Sequence, residues 1–247
     1  MTILKNDEEY EGIRASGRVV AGVLSLIESL VREGISTAYI DREAEVFIRD
    51  NGGEPAFKGY MGYPATVCAS INEVVVHGVP SEKVVISEGD IIGIDVGVKM
   101  NGFYADAART FAAGEISETA SRLIKAAREG LEEGISKAVE GNRVSDISAA
   151  VQKEAKRSGF LEVRAFVGHG IGRNLHEPPE VPNWGVKGRG MVLKKGLVLA
   201  IEPMFNEGSR EVEIMKDGWT AVTADRKLSA HFENTVIVGT GSAEVVT

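Results

Sequence analysis

The stretch from Glu88 to Phe111 constrains this chain more than any other. An apolar run (Ile91, Ile92, Ile94, Val96, Val98) is interrupted by one acid, Asp95, and a second acid, Asp106, follows a few residues on. Asn101-Gly102 lies between them. Asn-Gly between β-prone runs predicts a two-residue hairpin turn, because both central residues must take positive φ. Counting outward, Met100 faces Phe103 and Gly97 faces Asp106, which puts Asp95 on the same face as Asp106 and diagonal to it. An ionised carboxylate in such a strand is costly unless it is paired or bound to a metal. Two carboxylates on one side of one hairpin either share a proton or hold a cation between them.

The flanking sequence predicts alternating helices and strands. Apolar residues at three- and four-residue spacing (Ile13, Val20, Val23, Leu24, Ile27, Leu30, Val31) predict a helix over residues 7–33, stopped by Gly34. Ser36 or Thr37 caps a second helix to about Asp50. Strands are expected over 65–70 and 73–77, then the hairpin. Helices return over 118–139 and 144–157, stopped by Gly141 and Gly159. The last third reads as strands over 162–167, 197–201, 211–215, 220–223 and 229–238, with a Gly/Pro loop from Gly168 to Gly190.

The two parts of the chain echo each other. Gly34 and Gly141, Gly89 and Gly196, and Asp95 and Glu202 are three pairs, each 107 residues apart and in matching contexts. One such pair could be coincidence in a chain with 29 glycines, but three at one offset predict a duplicated α/β unit. The expected organisation is a single domain over 1–247, with halves of roughly 1–113 and 114–247. Asp95 and Glu202 could then meet where the halves join.

Composition excludes several classes of function. A net charge of −8 argues against a general nucleic-acid-binding face, and Lys187, Arg189, Lys194 and Lys195 form only a loose basic group. The single cysteine, Cys68, rules out an internal disulfide and a cysteine-based zinc site. No run of about 18 apolar residues is present, so the chain is expected to be cytoplasmic.

Four histidines are concentrated in unusual settings: His77, His169, His176 and His231. His169 sits between glycines, and its spacing to His176 is not that of an HExxH helix. Gly168, Gly170 and Gly172 superficially suggest a dinucleotide loop, but Pro178, Pro179 and Pro182 stand where its helix would run. Glu202 ends one apolar strand and Glu233 interrupts another. Singly, each acid is explained as readily by an ion pair, as Arg109 with Asp106 would provide. Together, four carboxylates and one imidazole form an oxygen-rich set suited to divalent Mn, Fe or Co. Bridging carboxylates permit two metals about 3.5 Å apart, an arrangement suited to hydrolysis.

The segments GYMGYPATVCASINEVVVHGVP, GDIIGIDVGVKMNGFYADAARTF, GHGIGRNLHEPPEVPN, AIEPM and FENTVIV closely resemble those of type I methionine aminopeptidases, and the similarity spans nearly the whole chain. The resemblance implies the pita-bread α/β (α+β) fold, a pseudo-two-fold pair of helix and sheet halves around a central two-metal site. It also implies that Asp95, Asp106, His169, Glu202 and Glu233 ligate two divalent ions (Co, Mn, Fe, Zn or Ni). Asp106 and Glu233 would bridge them, and Glu202 would also act as general base and acid. His176 would stabilise the oxyanion, and His77 would contact the scissile amide nitrogen. Tyr60, Tyr63, Cys68, Leu175 and Trp219 would line a methionine pocket, with Phe57 at its mouth. The implied activity removes the initiator methionine from nascent chains with a small second residue. The implied partners are nascent N-termini and, transiently, the ribosome, for a monomer with no membrane or nucleic-acid site.

Three positions depart from the family pattern. His231 stands where most relatives are expected to carry glutamine, and from there it could hydrogen-bond a ligand carboxylate. Phe57 and Leu175 also differ from the residues common there. The competing readings are an Xaa-Pro aminopeptidase or prolidase, creatinase-like hydrolysis, and a non-catalytic peptide-binding domain. The first two are expected to carry an additional N-terminal domain. The third is expected to lack ligands, whereas here all five positions are filled.

Overall fold

A computed structural model describes residues 1–247. Helices α1 (Asp7–Leu30) and α2 (Thr37–Asp50) open the chain. Each starts at a side-chain cap, Asn6 accepting from the Glu9 N–H and Ser36 from the Tyr39 N–H. Next come β1 (Glu54–Pro55), β2 (Val67–Ile71), β3 (Val74–Val76) and the long hairpin of β4 (Ile91–Met100) and β5 (Phe103–Ala112). Helices α3 (Glu118–Ile135) and α4 (Val144–Ser158) follow. The chain continues through β6 (Leu161–Glu162), β7 (Gly168–Gly170), β8 (Glu177–Val181), β9 (Val198–Ile201) and β10 (Met204–Asn206). It closes with β11 (Val212–Ile214), β12 (Ala221–Thr223), β13 (Ser229–His231), β14 (Asn234–Ile237) and β15 (Glu244–Val245).

The hairpin has the predicted register: Met100 pairs with Phe103 and Gly97 with Asp106. β4 also pairs with β1 and β2, giving a four-stranded sheet, while β15, β14, β9, β7 and β8 form a five-stranded one in that order. Each sheet is covered by its own helix pair. Ile27, Ile40 and Ile48 of α1 and α2 pack with Ile92, Ile94 and Val98. Leu123, Ile147 and Val151 of α3 and α4 pack with Leu199, Ile201 and Val236. Each such buried side chain contributes about 1.5–3 kcal/mol of burial energy, so both cores are substantial.

The 107-residue offset recurs in the geometry. α2 and α4 begin at Thr37 and Val144, and β4 and β9 at Ile91 and Val198. Isolated bridges join Ser36 to Val85 and Arg143 to Val192. Gly34, Gly52 and Gly89 take φ of +85°, +77° and +88°, and Gly141, Gly159 and Gly196 take +90°, +83° and +82°. The two sheets meet at β5 and β14, where the Glu233 N–H donates to the Ala108 carbonyl at 2.9 Å.

Some elements differ from expectation. α1 stops at Leu30 because Val31 turns extended (ψ 107°), and α3 stops at Ile135. The stretch read as a Gly/Pro loop contains two strands, β7 and β8. A Cβ on Gly168 would lie 2.5 Å from the Ala200 carbonyl, and one on Gly170 2.3 Å from that of Pro178. Glycine here permits close strand approach rather than a loop. Pro178 and Pro179 are tolerated because β8 lies at the sheet edge. The strand expected over 162–167 is paired only at Leu161–Glu162.

Candidate active site

Strand register gathers the acids. Asp95 and Asp106 face each other diagonally on β4 and β5. Across the five-stranded sheet, His169 pairs with Ala200 and Asn234 with Ile201, which brings Glu233 opposite Glu202 at the ends of β14 and β9. Because β14 lies beside β5, the two sets converge. Donor atoms of Asp106, His169 and Glu233 all lie within 4.8 Å of one another. The His169 Nε2 is 3.6 Å from Asp106 Oδ2 and 3.5 Å from Glu202 Oε1. Asp106 and Glu233 are buried, while Asp95 and Glu202 keep a partly exposed edge toward the cavity.

Burial and mutual repulsion set the electrostatics of these acids. Burial pushes the carboxyls of Asp95, Glu202 and Glu233 well above the usual carboxylate range, and the neighbouring acids push them further. Burial raises Asp106 to about 6, with the Thr235 hydrogen bond pulling the other way. The Asp95 Oδ1 is buried with no partner at all. Arg109 does not serve Asp106, as the ion-pair reading required. Three positions along β5 it points to the opposite face, where its guanidinium donates to the carbonyls of Ala108 and Glu233.

His169 Nδ1 lies 2.9 Å from the Gly170 carbonyl, which can only accept, so Nδ1 carries the proton and Nε2 turns its lone pair toward the carboxylates. Desolvation lowers this imidazole to about 4, keeping it neutral. A neutral imidazole nitrogen, four carboxylates and an orphaned buried oxygen fit a divalent cation better than a proton-sharing cluster.

A cavity of about 190 Å3 opens above this floor. All thirteen side chains named from the sequence line it, together with Met61 and Val76. Tyr63 and Trp219 meet edge to face at 5.2 Å, and Tyr63 Oη lies 3.0 Å from the Val67 carbonyl. Cys68 and Leu175 are fully covered. A broader cavity of about 610 Å3 adjoins it and shares His77, His169, His176 and Glu202. His77 and His176 thus stand between a narrow chamber and a wide one. His77 takes a φ of 59°, uncommon for such a residue, and rests its ring edge-on against Phe166 at 5.4 Å. Gly78 behind it allows the close approach, since a Cβ there would lie 2.2 Å from the Ala69 carbonyl. Burial lowers His77, and lowers His176 to about 4.

His231 does not make the carboxylate hydrogen bond that its place in the sequence allows. Its ring makes no hydrogen bond to any of the acids, its Nε2 is buried without a partner, and burial holds it near 3. The Thr110 hydroxyl on β5 holds its backbone, accepting from the His231 N–H and donating to the His231 carbonyl, and its side chain is not part of the cavity wall. The residue that does hold a site acid is Thr235, which was not foreseen. Its hydroxyl lies 2.9 Å from Asp106 Oδ1 and accepts from the Asp106 N–H at 3.0 Å. The signal was available, because Thr235 is two residues from Glu233 on one strand and so shares its face.

This site sits on a fold and sequence with clear relatives. The family model described as metallopeptidase family M24 matches residues 11–240, and the chain belongs to that family. Methionine aminopeptidases of Clostridium perfringens and Clostridium acetobutylicum are 51% and 49% identical over 247 residues, covering 100% of this chain and 99% of theirs. The crystal structure of methionine aminopeptidase from Thermotoga maritima superposes with a TM-score of 0.97 at 41% identity, covering 100% of this chain and 99% of that one. The fold is therefore the duplicated pita-bread arrangement expected from the sequence.

Proposed function

We propose that this chain is a metal-dependent hydrolase that removes the initiator methionine from nascent proteins and peptides with a small second residue. The observation that carries the reading is the juxtaposition of an acid-and-imidazole floor with a chamber sized for one side chain. At about 190 Å3 against about 610 Å3 for its neighbour, this is the narrower chamber, and it suits a single side chain rather than a peptide segment. Aromatic rings and a thiol in its wall suit a polarisable thioether. The wider adjoining cavity takes the rest of the substrate.

Asp95, Asp106, His169, Glu202 and Glu233 would hold two divalent ions. When bound, the ions lower the pKa of a water and polarise the scissile carbonyl. Glu202, whose carboxyl burial raises, takes a proton from the attacking water and returns it to the departing amine. His176 donates a hydrogen bond to the developing oxyanion, and His77 contacts the scissile amide nitrogen. Phe57, Tyr60, Tyr63, Cys68, Leu175 and Trp219 hold the methionine side chain and keep water from it. The chain works as one domain over 1–247, with halves of roughly 1–113 and 114–247.

The substrate sets the expected surroundings: a monomer in the cytoplasm that meets nascent N-termini as they leave the ribosome. No helix is long and apolar enough to cross a membrane. The test is release of methionine from Met-Ala-Ser by metal-stripped protein resupplied with Mn, Fe or Co, beside Ala-Pro-Ala. Release only with metal, and nothing from Ala-Pro-Ala, is expected. Cleavage of Ala-Pro-Ala would favour the Xaa-Pro reading, and silence on both would favour a binding domain.

A further inference from the structure

Tyr60 lies in an unusually constrained turn at the mouth of the chamber. Gly59, Met61 and Gly62 around it take φ of +86°, +50° and +91°. The Gly59 N–H donates to the Tyr63 carbonyl at 2.8 Å, and the Tyr63 N–H to the Tyr60 carbonyl at 2.9 Å. The turn delivers the phenol to one atom: Tyr60 Oη stands 2.9 Å from His176 Nδ1, with ring centroids 5.2 Å apart. No other side chain or carbonyl of the protein hydrogen-bonds that hydroxyl.

We propose that Tyr60 is a positioning residue that fixes the tautomer of His176, its phenol O–H donating to Nδ1 and so placing the single imidazole proton on Nε2. The inference rests on the reading of His176 as the oxyanion donor and adds the group that makes it one. A neutral imidazole has one donor and one acceptor nitrogen, and the partner of one nitrogen decides the role of the other. Between a phenol and a neutral imidazole, the phenol is the stronger acid and the bare ring nitrogen the better acceptor, so O–H···N is the favoured direction.

The opposite tautomer would turn a lone pair toward the oxyanion and repel it. In the proposed arrangement, negative charge developing beyond Nε2 makes Nδ1 more basic and tightens the phenol bond, so the two hydrogen bonds reinforce each other. Tyr60 thereby joins the chamber that holds the methionine side chain to the hydrogen bond that stabilises its transition state.

The experiment compares Tyr60→Phe with the parent protein and with His176→Ala, using Met-Ala-Ser, and reads the ring-nitrogen shifts of His176 by 15N NMR in zinc-loaded, diamagnetic protein. Tyr60→Phe keeps the ring in the chamber wall. Its KM and zinc affinity should therefore hold while kcat falls about tenfold, part of the roughly 10²–10³-fold that loss of a whole oxyanion donor costs. The parent spectrum should show a protonated Nε2 and a bare Nδ1, and in Tyr60→Phe the bare Nδ1 signal should shift. A protonated Nδ1 in the parent, or a Tyr60→Phe protein with full kcat beside a crippled His176→Ala, would overturn the tautomer proposal alone. Full activity in His176→Ala would remove the oxyanion reading and this proposal with it.

Discussion

Thr235 offers the sharpest test of how the fold holds the acids. Its hydroxyl accepts the Asp106 N–H at 3.0 Å and stands 2.9 Å from Asp106 Oδ1, with Asp106 itself 2% exposed. Thr235→Val keeps the shape and removes both interactions, together with the alternative bond from the same hydroxyl to the Asp106 carbonyl at 2.9 Å. A buried N–H left without a partner costs about 1–3 kcal/mol, and a hydrogen bond to a charged group is worth about 1.5–3 kcal/mol. One hydroxyl makes both contacts, so the losses overlap and a total of about 2–4 kcal/mol is expected. Urea unfolding of the metal-free protein at neutral pH measures that loss. Calorimetric titration with Mn should show affinity lower by about 10–100-fold, the usual effect of removing a partner that orients a metal ligand. Thr235→Ser should restore both. A valine variant that unfolds at the parent urea concentration and binds Mn as tightly would refute the argument.

Further outcomes follow from the same geometry. Because Asp106 is raised to about 6 and the other three acids also stand high, metal binding at neutral pH should release protons, and affinity should fall as pH drops through about 6. Heats of binding that do not vary with buffer ionisation enthalpy would contradict this. These folded-state values lie above the unfolded ones, so their contribution to metal-free stability is present at low pH and lost as pH rises through them, which urea midpoints across pH can read. Chelation should lower the melting temperature, since free metal at a hundred times Kd stabilises by about 2.7 kcal/mol; scanning calorimetry with and without chelator checks it. In Gly97→Ala the new Cβ would lie 2.6 Å from Phe57 Cε1 and 3.1 Å from Ala56 Cβ. That crowding should cost about 1–3 kcal/mol and raise KM for Met-Ala-Ser by moving Phe57.

The legible parts of the sequence were those governed by short-range rules. Asn101-Gly102 fixed the β4–β5 register, and with it the diagonal of Asp95 and Asp106. Ser36 and Gly159 marked the start of α2 and the end of α4 because caps need particular side chains or a left-handed residue. The strands β7 and β8 were illegible because Gly168 and Gly170 read as loop residues until the close approach of Ala200 and Pro178 is known. β1, β6 and β15, at two residues each, carry no periodicity to detect. Within the site, the resemblance to a family supplied the residues of the chamber wall. What it did not supply were contacts between segments distant in sequence: Thr235 to Asp106, Tyr60 to His176, and Arg109 behind Glu233. His231 shows the converse, since its nearness to Glu233 in sequence suggested a contact that its ring does not make.

The central claim is that five side chains from both sheets hold a pair of metal ions. Anomalous diffraction at the manganese edge, on crystals of active, Mn-loaded protein, tests it directly. The account predicts two peaks between Asp106 and Glu233, one within reach of Asp95 and the other of His169 and Glu202. Manganese bound only away from these five residues, in protein that still releases methionine, would contradict it.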